Sequence, residues 1–335
     1  MQIQHNISLK QYNTFGINTF TKLFAVFKTV DELTELLSTY TNNILVLGGG
    51  SNILFTKNFD GIVLKNELSG ISLVKEDTDY YYVKAAAGEV WHNFVLHCIQ
   101  QNYNGLENLS LIPGCVGASP MQNIGAYGVE IKDIFYELEA LHIHEKNIVT
   151  FNNKDCEFGY RESIFKNKFK NQFIILNVTF KLHKKNVFNI SYGAIKEELG
   201  KMNIAELNAK AISDVIIAIR SSKLPNPAII GNAGSFFKNP VIPTVEYKHL
   251  LQQYSNLPGY SDKENFTKIP AAWLIEYCGY KGYKKNDVGC HTKQALVLVN
   301  YGNANGLDVY NLSEEIIQTV YHKFKILLQR EVNII

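Results

Sequence analysis

Arginine is the scarce residue in this chain of 335. Only Arg161, Arg220 and Arg330 occur, so lysine carries nearly all the positive charge. A planar, bidentate fork is what lysine cannot supply, and a retained arginine is explained by need of that fork about as well as by drift. Excess charge of one sign is missing too. The formal net charge is +2, and the lysines stand singly or in pairs, with no block to follow a phosphate backbone. This argues against a nucleic-acid partner. No apolar run reaches the roughly 18 residues of a membrane helix. The opening MQIQHNISLKQYN has neither the basic start nor the apolar stretch of a signal peptide. The five cysteines (Cys98, Cys115, Cys156, Cys278, Cys290) are odd in number and far apart, without a C-x-x-C pair. That argues against a disulfide framework and a zinc site. A cytoplasmic protein with no metal and no membrane partner is the expectation. Monomer is the default, since no long exposed apolar stripe demands a partner.

The common mechanistic signatures are absent as well. There is no G-x-x-x-x-G-K-[ST], no G-x-S-x-G and no H-E-x-x-H. Gly48, Gly49 and Gly50 are followed three residues on by Ile53, so a Rossmann dinucleotide fingerprint fails.

What is present is ordinary globular composition, 46% hydrophobic and 19% charged, in a chain long enough for two or three domains. There is no internal repeat. ILVLGGGSNILF reads as strand, glycine turn, strand, and YYYVKAAAG as a further strand. EVWHNFVLHCIQQ has helical spacing, and FIILNVTFKL reads as a strand half-buried against helices. AKAISDVIIAIRSSK predicts a helix ending before Pro225, with KLPNPAIIGNAG as linker. Helices are expected near EYKHLLQQY, at PAAWLIEYCG with Pro270 in its first turn, and around NLSEEIIQTVYHKFKILL. QALVLVN and the tail REVNII read as strands. Without regular βαβ alternation, the class is α+β.

Two glycine-rich runs carry the first functional signal. Gly48–Gly50 with Ser51 and Asn52 leave backbone N–H groups free for an anion, although a plain tight turn explains that run alone. LIPGCVGASPMQNIGAYGVE adds Gly114, Gly117, Gly125 and Gly128 with hardly any charge. Such a run can lie against a planar or pyrophosphate-bearing ligand, with Ser119, Gln122 and Asn123 supplying hydrogen bonds. Together the runs suggest a dinucleotide held without a Rossmann fold. A third stretch, GNAGSFFKNP, puts Ser235 between glycines and Phe236–Phe237.

These stretches, with NTFGI, CEFGYRESIFK and HTKQALVLVN, occur in the order found in the UDP-N-acetylenolpyruvoylglucosamine reductases (the MurB family), which the chain resembles from about Leu9 to Val332. The resemblance implies a two-part non-Rossmann FAD-binding domain of the vanillyl-alcohol-oxidase (PCMH) type and a smaller α+β substrate domain. The implied boundaries are 1–65, 66–222 and 223–335, with a last strand that can pack back near the flavin. It implies noncovalent FAD, NADPH as electron donor, a nucleotide-sugar substrate and a place in peptidoglycan precursor synthesis. Flavin contacts are implied at Gly48, Gly49, Gly50, Ser51, Asn52, Pro113, Gly114, Ser119, Asn123 and Gly125.

In the implied reaction, hydride passes from flavin N5 to the enolpyruvyl methylene carbon. Ser235 gives a proton to the α-carbon in dry surroundings lent by Phe236 and Phe237. Arg161 clamps the carboxylate, and Glu331, taken as protonated, hydrogen-bonds the developing enediolate. Tyr192 matches the subgroup whose extra loop covers the diphosphate, and Lys223, Asn239 and Gln294 match the other substrate contacts. Lys238 reads as a solvated neighbour, while His291, Trp91 and Trp273 read as packing residues. The tail departs from the family, with Asn333 where arginine is common, which bears on a local flavin contact. Two rivals are disfavoured. An FAD oxidase of small alcohols or sugars lacks the GNAGSFFKNP domain, and a non-catalytic binder would have lost Ser235, Arg161 or Glu331.

Overall fold

The computed structural model describes residues 2–202 and 206–335. Its contacts group into two units. The first comprises Met1–Ile7, Thr21–Gly49 and Asp60–Ser222; the second comprises Ser8–Phe20, Gly50–Phe59 and Lys223–Ile335. The division near residue 222 falls at the proline-rich stretch after the Ala209–Lys223 helix. Two N-terminal segments lying within 1–65 group with the C-terminal residues, because NTFGI is stitched there. Asn300 Nδ2 donates to the Phe15 carbonyl at 2.9 Å, and the Asn232 N–H donates to the Thr14 carbonyl at 3.0 Å.

The first unit holds two sheets. One runs Gln4–Ser8, Phe20–Phe27, Phe59–Asn66, Ile44–Leu47, the last two strands parallel. The other runs Ile148–Asn152, Phe135–His142, Phe173–His183, Tyr80–Ala86, Ile71–Glu76 and is antiparallel throughout. The Val30–Thr39 helix starts in a capping box, with the Glu32 N–H donating to Thr29 Oγ1 and the Thr29 N–H to Glu32 Oε2. Its Leu33, Leu36 and Leu37 pack with Ala25, Phe27, Ile62 and Leu64. The apolar spacing marks Val90, Phe94, Val95 and Cys98; the Trp91–Gln100 helix buries the last three with Trp91 against Val83, Val178 and Phe180, while Val90 stands exposed at its N-cap.

In the second unit an antiparallel sheet runs Gly231–Ser235, Val297–Asn300, Val288–Cys290, Lys284–Lys285. It shares its core with the helices Ala271–Tyr277 and Gly306–Phe324. Pro270 stands at the N-cap of the shorter helix, one place before the expected first turn. The tail strand Asn333–Ile334 lies parallel to Ile53–Leu54, the strand that follows the triple glycine. Among the described residues no helix is long and apolar enough to cross a membrane.

The long helix begins five residues before the predicted NLSEE. Asn305 caps it, accepting from the Asp308 N–H at 3.0 Å while Asp308 accepts from the Asn305 N–H at 3.0 Å. It ends at Phe324 because Lys325 adopts a left-handed conformation, φ 60°. Replacing Asn305 by Ala removes an N-cap acceptor, and should cost about 1 kcal/mol. Thermal unfolding should show a Tm lower by about 2–4 °C; an unchanged Tm would mean that this cap does not hold the second unit together.

Candidate active site

In the first unit the two glycine runs meet backbone to backbone. A Cβ on Gly49 would stand 2.9 Å from the Gly114 Cα, and one on Gly48 3.5 Å from the Cys115 Cβ. Gly49 and Pro113 are exposed while Gly48 and Gly114 are half-buried, so a bare strip of main chain borders this contact. Cys115 is buried, and burial raises its thiol above the ordinary value, which makes it a poor nucleophile.

Ser119 and Asn123 lie in the same run, yet their side chains are spent inside the protein. Ser119 Oγ donates to the Val116 carbonyl at 2.7 Å. The Asn123 amide donates to Glu130 Oε2 at 3.1 Å and to the Gly159 carbonyl at 3.0 Å, and its oxygen accepts from the Lys132 N–H at 3.0 Å. The sequence reading hands these groups to a ligand. The structure uses them to hold the loop, because both residues are almost fully buried and a buried polar group must be paired.

What Asn123 holds is the Gly159–Glu162 turn that carries Arg161. Arg161 has φ 57°, a left-handed value uncommon for a residue other than glycine. Its Nη2 donates to the Gly125 carbonyl at 2.7 Å, and its Nη1 lies 3.9 Å from Glu130 Oε1. A Cβ on Gly125 would sit 3.2 Å from Arg161 Nη1, so the glycine admits the guanidinium. Arg161, Asn123 and Gly125, separated in sequence, are thereby brought together.

Arg220, singled out by arginine scarcity but given no role, is a half-buried cation of this unit. Nε donates to the Leu111 carbonyl at 3.3 Å, and the guanidinium also donates to the Tyr127 hydroxyl. Burial pulls its pKa below the ordinary arginine value. His92 Nδ1 accepts from the Leu111 N–H at 3.0 Å, and burial, then the Arg220 charge, holds its pKa down. Tyr192 is half exposed and packs edge-on against Tyr127, ring centroids 5.2 Å apart.

In the second unit Ser235 ends its strand, paired with Val297 and exposed to solvent. Phe236 and Phe237 do not surround it. They are 0% and 1% exposed and belong to the core with Phe15, Leu274 and Val320. The expectation of phenylalanine-lined dryness around Ser235 is thus corrected: the rings anchor the strand end. The tail runs beside this stretch. The Glu331 N–H donates to the Phe236 carbonyl at 2.8 Å and the Lys238 N–H to the Gln329 carbonyl at 2.9 Å. Ser235 and half-buried Glu331 are therefore held by neighbouring backbone.

Farther along, Asn239 Oδ1 accepts from the Ala271 N–H at 2.9 Å, capping the helix there. Gln294 is half-buried at the turn before Val297, and Lys223 is exposed. Burial keeps the half-buried His291 below its ordinary value, consistent with a neutral packing histidine. Asn333, the departing residue, donates from Nδ2 to the Asn52 carbonyl at 2.9 Å, and Asn52 Nδ2 donates to the Glu331 carbonyl at 3.3 Å. The asparagine fixes the tail to the end of the first glycine run without an arginine.

Residues 21–146 match a family described as FAD binding domain. The bare glycine strip suits a large, flat cofactor that lies directly against main chain. Fold and loops define an FAD-dependent oxidoreductase, and the α+β, non-Rossmann expectation is borne out.

Residues 226–335 match the family described as UDP-N-acetylenolpyruvoylglucosamine reductase, C-terminal domain. The chain is 50% identical to the UDP-N-acetylenolpyruvoylglucosamine reductase of Flavobacterium johnsoniae, and 48% to that of Amoebophilus asiaticus, each match covering 100% of both chains. The crystal structure of UDP-N-acetylenolpyruvylglucosamine reductase (MurB) from Thermus caldophilus has the same fold, with TM-score 0.70 at 21% identity over 100% of this chain and 99% of that one. This chain belongs to the UDP-N-acetylenolpyruvoylglucosamine reductase family.

Changing Gly49 to Ala forces the two glycine runs apart at a contact that leaves no room for a methyl group. Flavin affinity, read by fluorescence titration of the deflavinated protein, should fall by about tenfold or more, in line with the ~1–3 kcal/mol of overpacking strain. Unaltered affinity would mean that the strip does not border the cofactor.

Proposed function

We propose that the protein reduces UDP-N-acetylglucosamine enolpyruvate to UDP-N-acetylmuramate with NADPH, through noncovalent FAD, as a cytoplasmic step of peptidoglycan precursor synthesis. The observation that carries the reading is the placement of Ser235: a hydroxyl presented to solvent at a strand end anchored by two buried phenylalanines, with the Glu331 backbone bonded to the next residue. Full-length identity with relatives named for this reductase supports the substrate.

Bound FAD supplies the hydride, received at the methylene carbon of the enolpyruvyl ether. This chain's residues manage the charge and the proton. Addition at the methylene carbon leaves negative charge on the α-carbon, delocalised into the carboxylate as an enediolate. Arg161, prepositioned by Gly125 and Glu130, offers a guanidinium to that carboxylate. Glu331 in its acid form hydrogen-bonds the same developing charge. Ser235 then donates its proton to the α-carbon. A serine hydroxyl is a weak acid, but an enediolate carbon is basic enough to take its proton.

Flavin contacts at Gly48, Gly49, Gly50, Ser51, Asn52, Pro113, Gly114 and Gly125 are made by main chain and small groups. Ser119 and Asn123 act on the flavin from behind, by holding the loop that meets it. Tyr192, Lys223, Asn239 and Gln294 supply donors to the diphosphate, nucleotide and sugar, with Asn239 oriented by its bond to Ala271.

The direct experiment is anaerobic. Yellow protein should bleach with NADPH, and colour should return on adding the enolpyruvyl nucleotide sugar. Bleaching without recovery would mean a flavin reductase with another acceptor. The Ser235→Ala variant should bleach at the normal rate but recover its colour about 10²–10⁴ times more slowly, the usual loss of a proton donor. Equal slowing of both half-reactions would remove Ser235 from the proton-donor role.

A further inference from the structure

Asn108, in GLENLSL, is completely buried in the first unit. Its amide nitrogen donates two hydrogen bonds, to the Tyr127 carbonyl at 2.9 Å and to the Asn189 carbonyl at 2.8 Å. Both N–H groups of the side chain are thus used on main chain, and they join two loops that are distant in sequence. One is the Gly125–Glu130 hairpin, whose Tyr127 has φ 51°. The other leads through Asn189 to Tyr192.

Asn189 returns the tie. Its Nδ2 donates to the Gly128 carbonyl at 2.9 Å, and its Oδ1 accepts from the Ser191 N–H at 3.1 Å and Oγ at 2.7 Å. A Cβ on Gly128 would lie 2.9 Å from Asn189 Nδ2, so the two loops are in direct contact. The Tyr127 and Tyr192 rings complete the junction. Apolar contacts flank the junction: Phe188 and Ile190, and Ala194, Ile195 and Leu199 of the following helix Gly193–Lys201, pack with Ile212, Val215 and Ile216, while the polar ties set the register of the two loops.

We infer that Asn108 is a positioning residue: it fastens the 187–192 segment to the 126–128 turn, and so fixes where Tyr192 stands. The inference rests on the reading of Tyr192 as a substrate contact only for its effect on catalysis. An amide suits the task because it offers two donors with no charge to desolvate. Aspartate has the same shape but no donors, and would set carboxylate oxygens against two carbonyl oxygens.

The test compares holoenzyme carrying Asn108→Asp with the parent. Hydrogen–deuterium exchange in residues 187–193 should rise about tenfold or more, the equivalent of one to two buried hydrogen bonds. The substrate concentration giving half-maximal reoxidation of reduced flavin should also rise about tenfold, while flavin content and the rate of NADPH bleaching hold. In a Tyr192→Ala background the second effect should vanish, because Asn108 then has nothing to position. Should Asn108→Asp not fold, Asn189→Ala, which cuts the reciprocal bond from the exposed side, reads the same two quantities.

Unchanged exchange in 187–193 overturns the inference. So does a loss of substrate affinity that adds in full to that of Tyr192→Ala. Raised exchange with Tyr192→Ala binding substrate normally upholds the tie, and removes Tyr192 from the proposed substrate contacts instead.

Discussion

The approach of Gly49 to Gly114 is the constraint on which the first unit depends. A hypothetical Cβ 2.9 Å from a neighbouring Cα marks main chain packed on main chain, with no side chain between. Such packing is possible only where both segments are held from behind, since backbone alone buries little apolar area. The hold comes from Cys115 and Val116 in the core beneath the second run, and from the Trp91 N–H donating to the Gly114 carbonyl at 3.0 Å. The Trp91 indole donates in turn to the Leu109 carbonyl at 2.9 Å. The tryptophan read as core is thus also the strut that lets a glycine strip stay bare.

The second unit solves a different problem, which is to present one hydroxyl without letting its strand end fray. Ser235 follows Gly234, whose φ of 69° turns the chain, and precedes two rings sunk in the core. Backbone bonds from Phe236 to Leu296 and Glu331 clamp it from both sides. Because the tail supplies one of those bonds, Glu331 is placed by the same device that fixes Ser235. The tail is itself fixed by Asn52 and Asn333.

Local pattern made much of this legible. The Ala209–Lys223 helix appears over the span its sequence marks, and the two glycine runs meet where small residues alone allow it. The resemblance supplied the order of motifs and the roles of Arg161, Ser235 and Glu331. What stayed hidden is non-local. No periodicity reveals that two-residue strands at Ile53 and Asn333 pair in parallel, or that NTFGI is stitched to Asn300. Phe236 and Phe237 mislead for a related reason: adjacency to Ser235 in sequence is not adjacency around its hydroxyl. The start of the Gly306–Phe324 helix is set by the Asn305–Asp308 capping box, a signal weaker in the sequence than the apolar run after it.

Buried asparagines and half-buried arginines explain how loops carry chemistry here without regular structure beneath them. Arg161 pays for its left-handed backbone with about 1–3 kcal/mol of strain, which persists only if its surroundings over-determine it. Asn123 does so by gripping both Glu130 and the Gly159 carbonyl, as Asn108 grips Tyr127 and Asn189. A glutamate in place of Asn108 would carry a negative charge in against two carbonyl oxygens, at a cost exceeding what its bonds return. Arg220 breaks that rule, since its hydrogen bonds to Leu111 and Tyr127 neutralise nothing and its pKa is pulled down by burial. A cation kept under such conditions is stabilised most by an anion.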